Sequence, residues 1–314
     1  MTAHARGHRA RRALVAALGC ALAACSKDPP APSSSAPSSS APSSSAPSSS
    51  APSSADAKLA FVVEGRPARE LTLAELRREI PTETLTVFDP YYKKPKTFRA
   101  LRFAEVLRVG FEGAKGTADA GGAPSELLLR AKDGYTVPLR PPLSTEPGAY
   151  LAYEDVEVPG WEPIGPQRAN PAPFYLVWRE PGQQNLETHP RPWQLATIER
   201  ASFERTFPHT VPTGAPPGSL AVVGFGLFRD RCVRCHAINR EGGRVGPELN
   251  VPKNVLEYRT VAEVKTYIRD PLSLRYGNMP PHPDLREADL DALVGYLEVM
   301  KARKFDPDGQ PKKP

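Results

Sequence analysis

The run Cys232-Val233-Arg234-Cys235-His236 restricts what this chain can fold into more than any other five residues. Two thiols about one helical turn apart, followed at once by an imidazole, form the attachment site of a c-type haem. The thiols add to the two porphyrin vinyl groups, and the imidazole reaches iron from one face. A zinc knuckle would need two further Cys or His ligands at matching spacing, and the nearest other cysteine is about two hundred residues away. A thioredoxin-like pair is expected at the strand-to-helix turn of a βαβ unit, which the surrounding sequence lacks. A disulfide or a chance match is the remaining alternative.

The flanking residues extend the pattern. Leu220, Val223 and Leu227 recur at helical spacing, with Gly224 and Phe228 eight and four residues before Cys232. Thr260 and Glu263 predict a capping box for a helix over 261–269 with Val261, Val264 and Ile268 as its buried stripe. Leu290, Leu293, Val294 and Leu297 predict a last helix, with Asp284 and Glu287 as its capping box. Between these lie Gly246-Pro247-Glu248-Leu249 and Tyr276-Gly277-Asn278-Met279-Pro280-Pro281.

Taken together, residues 218–303 resemble a class I, monohaem cytochrome c. The resemblance implies that Gly224 and Phe228 let the first helix cross the last closely, with Leu293 and Tyr296 as the contact pair. It implies that the Pro247 carbonyl fixes the ring of His236, and that Met279 supplies the sixth iron ligand opposite His236. His282, three residues on, is the rival ligand and is expected at the surface. Val223, Phe228, Pro247, Leu249, Ile268, Leu293 and Leu297 are the expected pocket residues.

At the other end, Arg6, Arg9, Arg11 and Arg12 precede an apolar run, 13–24, too short for a permanent membrane span. Leu22-Ala23-Ala24-Cys25 resembles the bacterial lipobox, which implies a signal peptide over 1–24 and a diacylglycerol on Cys25. Ser26, where an Asp would signal inner-membrane retention, leans towards the outer membrane. Cys20 would leave with the leader, so each of the four cysteines has an assignment and no thiol remains for a disulfide or a catalytic nucleophile. Of the 41 basic side chains four would also leave, bringing the formal charge from +6 to about +2. That charge, without a recognition motif, gives no support to nucleic-acid binding. From Ala31 the chain repeats Ala-Pro-Ser-Ser-Ser, so 25–55 is expected to be a disordered tether, its reach between about 30 Å as a coil and about 80 Å as polyproline.

Residues 56–210 alternate short strands (59–64, 85–88, 126–130, 136–139, 174–178) with helices (72–79, 103–109), which predicts an α+β domain. A looser similarity runs through Leu71 to Leu76, Phe103 to Leu107, Ala131 to Tyr135 and Gly165-Pro166. These resemble the molybdopterin-binding domain of sulfite-oxidase-like enzymes. Such enzymes hold molybdenum through a protein cysteine, and 56–210 contains none, so molybdopterin is not expected. His189 and His209, each beside a proline, read as structural or surface residues. Tyr135 after Asp133-Gly134 reads as a turn into a strand.

The expected whole is multidomain: an N-terminal α+β domain and a C-terminal all-α cytochrome c domain (218–303), linked by 211–217, carried on the tether and ending in a disordered tail, 304–314. The expected function is a periplasm-facing, lipid-anchored carrier of single electrons between redox proteins of the cell envelope through one covalent haem. Two alternatives stand beside it. One is a haem-containing dehydrogenase whose N-terminal domain is catalytic, and the other is a haem sensor with a displaceable sixth ligand.

Overall fold

A computed structural model describes residues 56–113, 126–165, 167–307 and 309. The leader, Cys25, the tether to residue 55, Pro166 and most of the expected tail lie outside the described residues.

Among the described residues the amino-terminal part shows nine strands. They are β1 (Lys58–Val63), β2 (Arg66–Thr72), β3 (Glu83–Asp89), β4 (Lys94–Arg102), β5 (Leu127–Ala131), β6 (Thr136–Leu139), β7 (Ala149–Asp155), β8 (Tyr175–Trp178) and β9 (Leu195–Arg200). They form a five-stranded sheet in the order β2-β1-β9-β5-β6 and a four-stranded sheet in the order β3-β4-β7-β8. All pairings are antiparallel except β1 with β9, so the first sheet is mixed. Helices α1 (Leu73–Glu79) and α2 (Phe103–Gly110) each follow a strand directly. Thr72 starts α1: its hydroxyl accepts from the Glu75 amide at 3.2 Å, and the Glu75 carboxylate accepts from the Thr72 amide at 2.8 Å.

Side-chain alternation sorts this part into two cores. Leu151 and Tyr153 of β7, and Leu176 and Trp178 of β8, join Leu59, Phe61, Leu129 and Ile198 of the other sheet together with Leu76 and Val106 of the helices. Their neighbours Tyr150, Ala152, Tyr175 and Val177 point the opposite way, onto Phe98, Trp161 and Ile164. With both faces covered, β8 is apolar throughout and shows no polar alternation.

β5 reads Leu127-Leu128-Leu129 for a related reason. Leu127 and Leu129 enter the first core, whereas Leu128 packs with Phe203, Phe207, Phe225 and Phe228 in a third. Phe203 lies in the short helix α3 (Phe203–Thr206). The third core is otherwise carboxy-terminal. It is built on α4 (Leu220–Asp230), the two-residue strands β10 (Ala237–Ile238) and β11 (Glu241–Gly242), α5 (Val261–Arg269) and α6 (Glu287–Lys301). The mixed-sheet part and the helical part give a multidomain layout, and among the described residues both lie in one compact unit.

Four strands escape the sequence pattern: β2, β4, β7 and β9. β2 is exposed over its first five residues, β4 is interspersed with Lys and Arg, and β7 and β9 mix apolar with charged residues, so none shows a clean apolar alternation. Three further expectations need correction. The buried face of α4 is Ala221, Gly224, Phe225 and Phe228, while Leu220 and Val223 are exposed. In α5 Val261 is exposed, leaving Val264 buried and Ile268 half-buried. Finally, α6 begins at Glu287 with Asp289 capping Arg286, and Asp284 instead accepts from Arg231 at 2.6 Å.

Candidate haem-attachment site

α4 crosses α6 at a glycine. A Cβ on Gly224 would stand 2.0 Å from the carbonyl oxygen of Ala292, so only hydrogen permits this approach. Close to the crossing Phe228 packs on Tyr296, ring centroids 5.3 Å apart, and the Tyr296 hydroxyl donates to the Thr210 carbonyl at 2.7 Å. α4 ends at Asp230, and Cys232–Arg234 makes one tight 3-10 turn. In that turn the amides of Cys235 and His236 both donate to the Cys232 carbonyl, at 3.1 and 2.9 Å. The turn thus presents two thiols and an imidazole within five residues.

The His236 ring is held from two sides. Its Nδ1–H donates to the Pro247 carbonyl at 2.8 Å, since a carbonyl can only accept. The Nε2 lone pair is then left for a metal. Gly246 lies against the ring: a Cβ there would come within 2.6 Å of Cε1 and 2.8 Å of Nδ1. Burial pushes the His236 pKa down, against the hydrogen bond to Pro247, which keeps the ring neutral and able to ligate.

What fixes Gly246-Pro247 is Glu248, to which the motif reading gave no role. Its carboxylate accepts from the amides of Asn239, Arg240, Asn250 and Val251 at 2.8 to 3.1 Å. Behind it, Asn254 donates to Asn250 and Asn250 to Asn239, each at 2.7 Å, and the same amides bond the carbonyls of Leu297 and Met300 in α6. This buried asparagine ladder ties the 239–254 loop to the last turns of α6 and satisfies its own buried amides.

Both thiols are free, and neither resembles a redox thiol. Burial pushes the Cys232 pKa up to about 12 and that of Cys235 up to about 11, whereas exchange-active cysteines have depressed values. Among the described residues no three His, Cys, Asp or Glu are placed together to hold a metal ion. The donor set fits a haem held through two thioethers with His236 as one axial ligand.

The remaining expected residues differ in burial. Phe228, Leu293 and Leu297 are buried, Leu249 and Ile268 half-buried, and all five pack in the third core; Pro247 is exposed. Met279 is half-buried in the loop between α5 and α6. His282 corrects an expectation: it is buried, with its amide donating to the Ile268 carbonyl at 3.2 Å and Nδ1 3.7 Å from Glu187. His189 and His209 lie in structural settings, His189 bonding Glu146 at 3.0 Å and His209 bonding Glu241 at 2.6 Å while stacking on Phe305.

The two-sheet part also borders the attachment turn. Arg234, between the two cysteines, donates to the carbonyls of Leu186 and Glu187 at 3.1 and 2.7 Å. Tyr135 is a near neighbour of Arg234, and burial pushes its pKa up to about 12. Asp133 turns the chain into β6 as expected, accepting from the Tyr135 amide at 2.9 Å. Tyr91, edge-on to Trp193 with centroids 4.9 Å apart, is held at its amide by buried Asp89. Nothing in the local sequence of 89–91 or 185–187 signals these contacts, because the partners lie far along the chain.

Residues 220–297 match the family model described as cytochrome c oxidase, cbb3-type, subunit III. A 94-residue stretch is 37% identical to the cytochrome c oxidase subunit 2 of Alkalihalophilus pseudofirmus, covering 27% of this chain and 27% of that protein. The chain therefore spans about a quarter of the length of this relative. With the turn, the ring and the helix crossing described above, the matched segment identifies the carboxy-terminal part of the chain as a cytochrome c domain, which implies a covalently bound c-type haem.

Proposed function

We propose that the protein is a lipid-anchored electron carrier of the bacterial envelope, facing the periplasm and exchanging single electrons with redox proteins there. The observation that carries this reading is the hydrogen bond from His236 Nδ1 to the Pro247 carbonyl, 2.8 Å. It sets the tautomer that leaves Nε2 for iron. When bound, a c-type haem supplies a reversible one-electron couple.

The chain's residues do the rest. Cys232 and Cys235 would hold the group covalently, and His236 and Met279 would ligate its iron. Phe228, Leu249, Ile268, Leu293 and Leu297 exclude water and, with the thioether of Met279, disfavour the extra positive charge of the oxidised state. Because the ring of His236 is clamped between Gly246 and Pro247, little need move when charge changes. No proton acid or base is required. Cys25 would carry the lipid, and among the described residues no helix is long and apolar enough to cross a membrane.

A catalytic role for the two-sheet part has less support, since 56–210 offers no thiol to molybdenum. The test is direct. Full-length protein made in cells competent for haem ligation should be coloured, retain its haem in denaturant, and show a low-spin c-type spectrum. Molybdenum at one per haem would replace the carrier reading by the dehydrogenase. Rapid carbon monoxide binding to the reduced protein would favour the sensor, and a colourless product would end the redox reading.

A further inference from the structure

Glu187 belongs to the two-sheet part, in the loop between β8 and β9, yet its carboxylate reaches three residues of the cytochrome domain. It stands 3.6 Å from Arg234 Nη1, 4.0 Å from Arg231 Nε and 3.7 Å from His282 Nδ1. These flank both iron-ligating segments: Arg231 and Arg234 bracket Cys232, and His282 follows Met279 by three residues. Glu187 is thus placed against both from another domain.

Its position is fixed in advance. The Asn185 side chain accepts from the Glu187 and Thr188 amides at 2.8 and 3.3 Å, a turn that ties the loop to itself. The next anchor is His189, which bonds Glu146 at 3.0 Å and packs edge-on against Trp178. Arg234 closes the contact by donating to the Leu186 and Glu187 carbonyls. The Glu187 side chain is only 28% exposed, and Oε2 is buried with no hydrogen-bond partner, as is His282 Nδ1. A carboxylate with a spare buried oxygen is poorly shielded by water, so its charge acts on its surroundings more strongly than a surface charge would.

We infer that Glu187 is a positioning residue of the haem site, supplied across the domain boundary, which holds the attachment turn and lowers the reduction potential. This rests on the electron-carrier reading. Oxidation adds one positive charge at the iron, and a nearby fixed negative charge stabilises that state, whereas Arg231, beside Cys232, opposes it. The two-sheet part then has a definite role, as a tuning collar on the attachment turn.

Equilibrium redox titration of the full-length holoprotein tests this. Glu187→Gln should shift the midpoint potential upward, Glu187→Asp should restore most of the original value, and Arg231→Gln should shift it downward. A purely structural role would move the Glu187→Gln and Arg231→Gln potentials together or not at all, and either result overturns the proposal. Should Glu187→Gln fail to accumulate, Arg231→Gln alone still decides, since an unchanged or raised potential refutes the charge argument. Failure of the unaltered protein to hold haem would instead remove the carrier reading itself.

Discussion

Gly224 and Ala292 bring α4 and α6 together so closely that one added methyl group would stand 2.0 Å from a backbone oxygen. A flexible side chain could swing aside, but a carbonyl inside a helix cannot. Gly224→Ala should therefore force the helices apart and cost about 1–3 kcal/mol, despite alanine's better helix propensity. Chemical denaturation of the holoprotein measures this, and an unchanged midpoint would contradict it.

At the imidazole, the bonding group is a backbone carbonyl and the clamp is a missing side chain. Pro247→Ala keeps the carbonyl and should leave the reduction potential nearly unchanged. Gly246→Ala places a Cβ 2.6 Å from the ring and should displace His236, altering the potential while the thioethers retain haem. Equal effects from the two variants would show that the clamp does not orient the ring.

Met279 and His282 separate by their surroundings. His282 turns Nδ1 towards Glu187 and is packed under Ile268, whereas Met279 sits half-buried in the loop. Met279→Ala should abolish the weak far-red absorbance of the oxidised protein that reports a thioether ligand, and His282→Ala should keep it. The reverse pattern would make histidine the ligand.

Two contacts between the domains should differ in worth. Arg140 and Asp230 pair at 2.7 Å with about two-fifths of each side chain exposed, so Arg140→Ala should cost no more than about 1 kcal/mol. Arg234 is 8% exposed and serves two carbonyls, so Arg234→Ala should cost about 2–3 kcal/mol. Comparing the two unfolding curves at one salt concentration checks the order.

The start of α5 should be sensitive to acid. The Glu263 pKa is lowered, first by the hydrogen bond from the Thr260 amide and then by the Thr260 hydroxyl. A depressed carboxylate stabilises above its unfolded value, 4.5, and that contribution is lost as pH falls through the lower folded value. The protection factors of amides in the first turn of α5, corrected for intrinsic exchange, should therefore fall below about pH 4.5, and Glu263→Gln should remove the dependence.

Local chemistry was legible in the sequence by itself. Cys232, Cys235 and His236 are spaced by a ligand's dimensions, and Thr260 and Glu263 by the pitch of one helical turn. Each is a short-range rule, so five residues suffice to state it. Tertiary structure alone decided which face of α4 is buried, because Leu220 and Val223 satisfy a helical period as well as Ala221 and Phe225 do. It alone turned Leu128 towards the cytochrome core, drew His282 inward, and set Glu187 against Arg234, 47 residues later in the chain. Those contacts join segments far apart in sequence, and no local pattern carries information about a partner that only folding brings near.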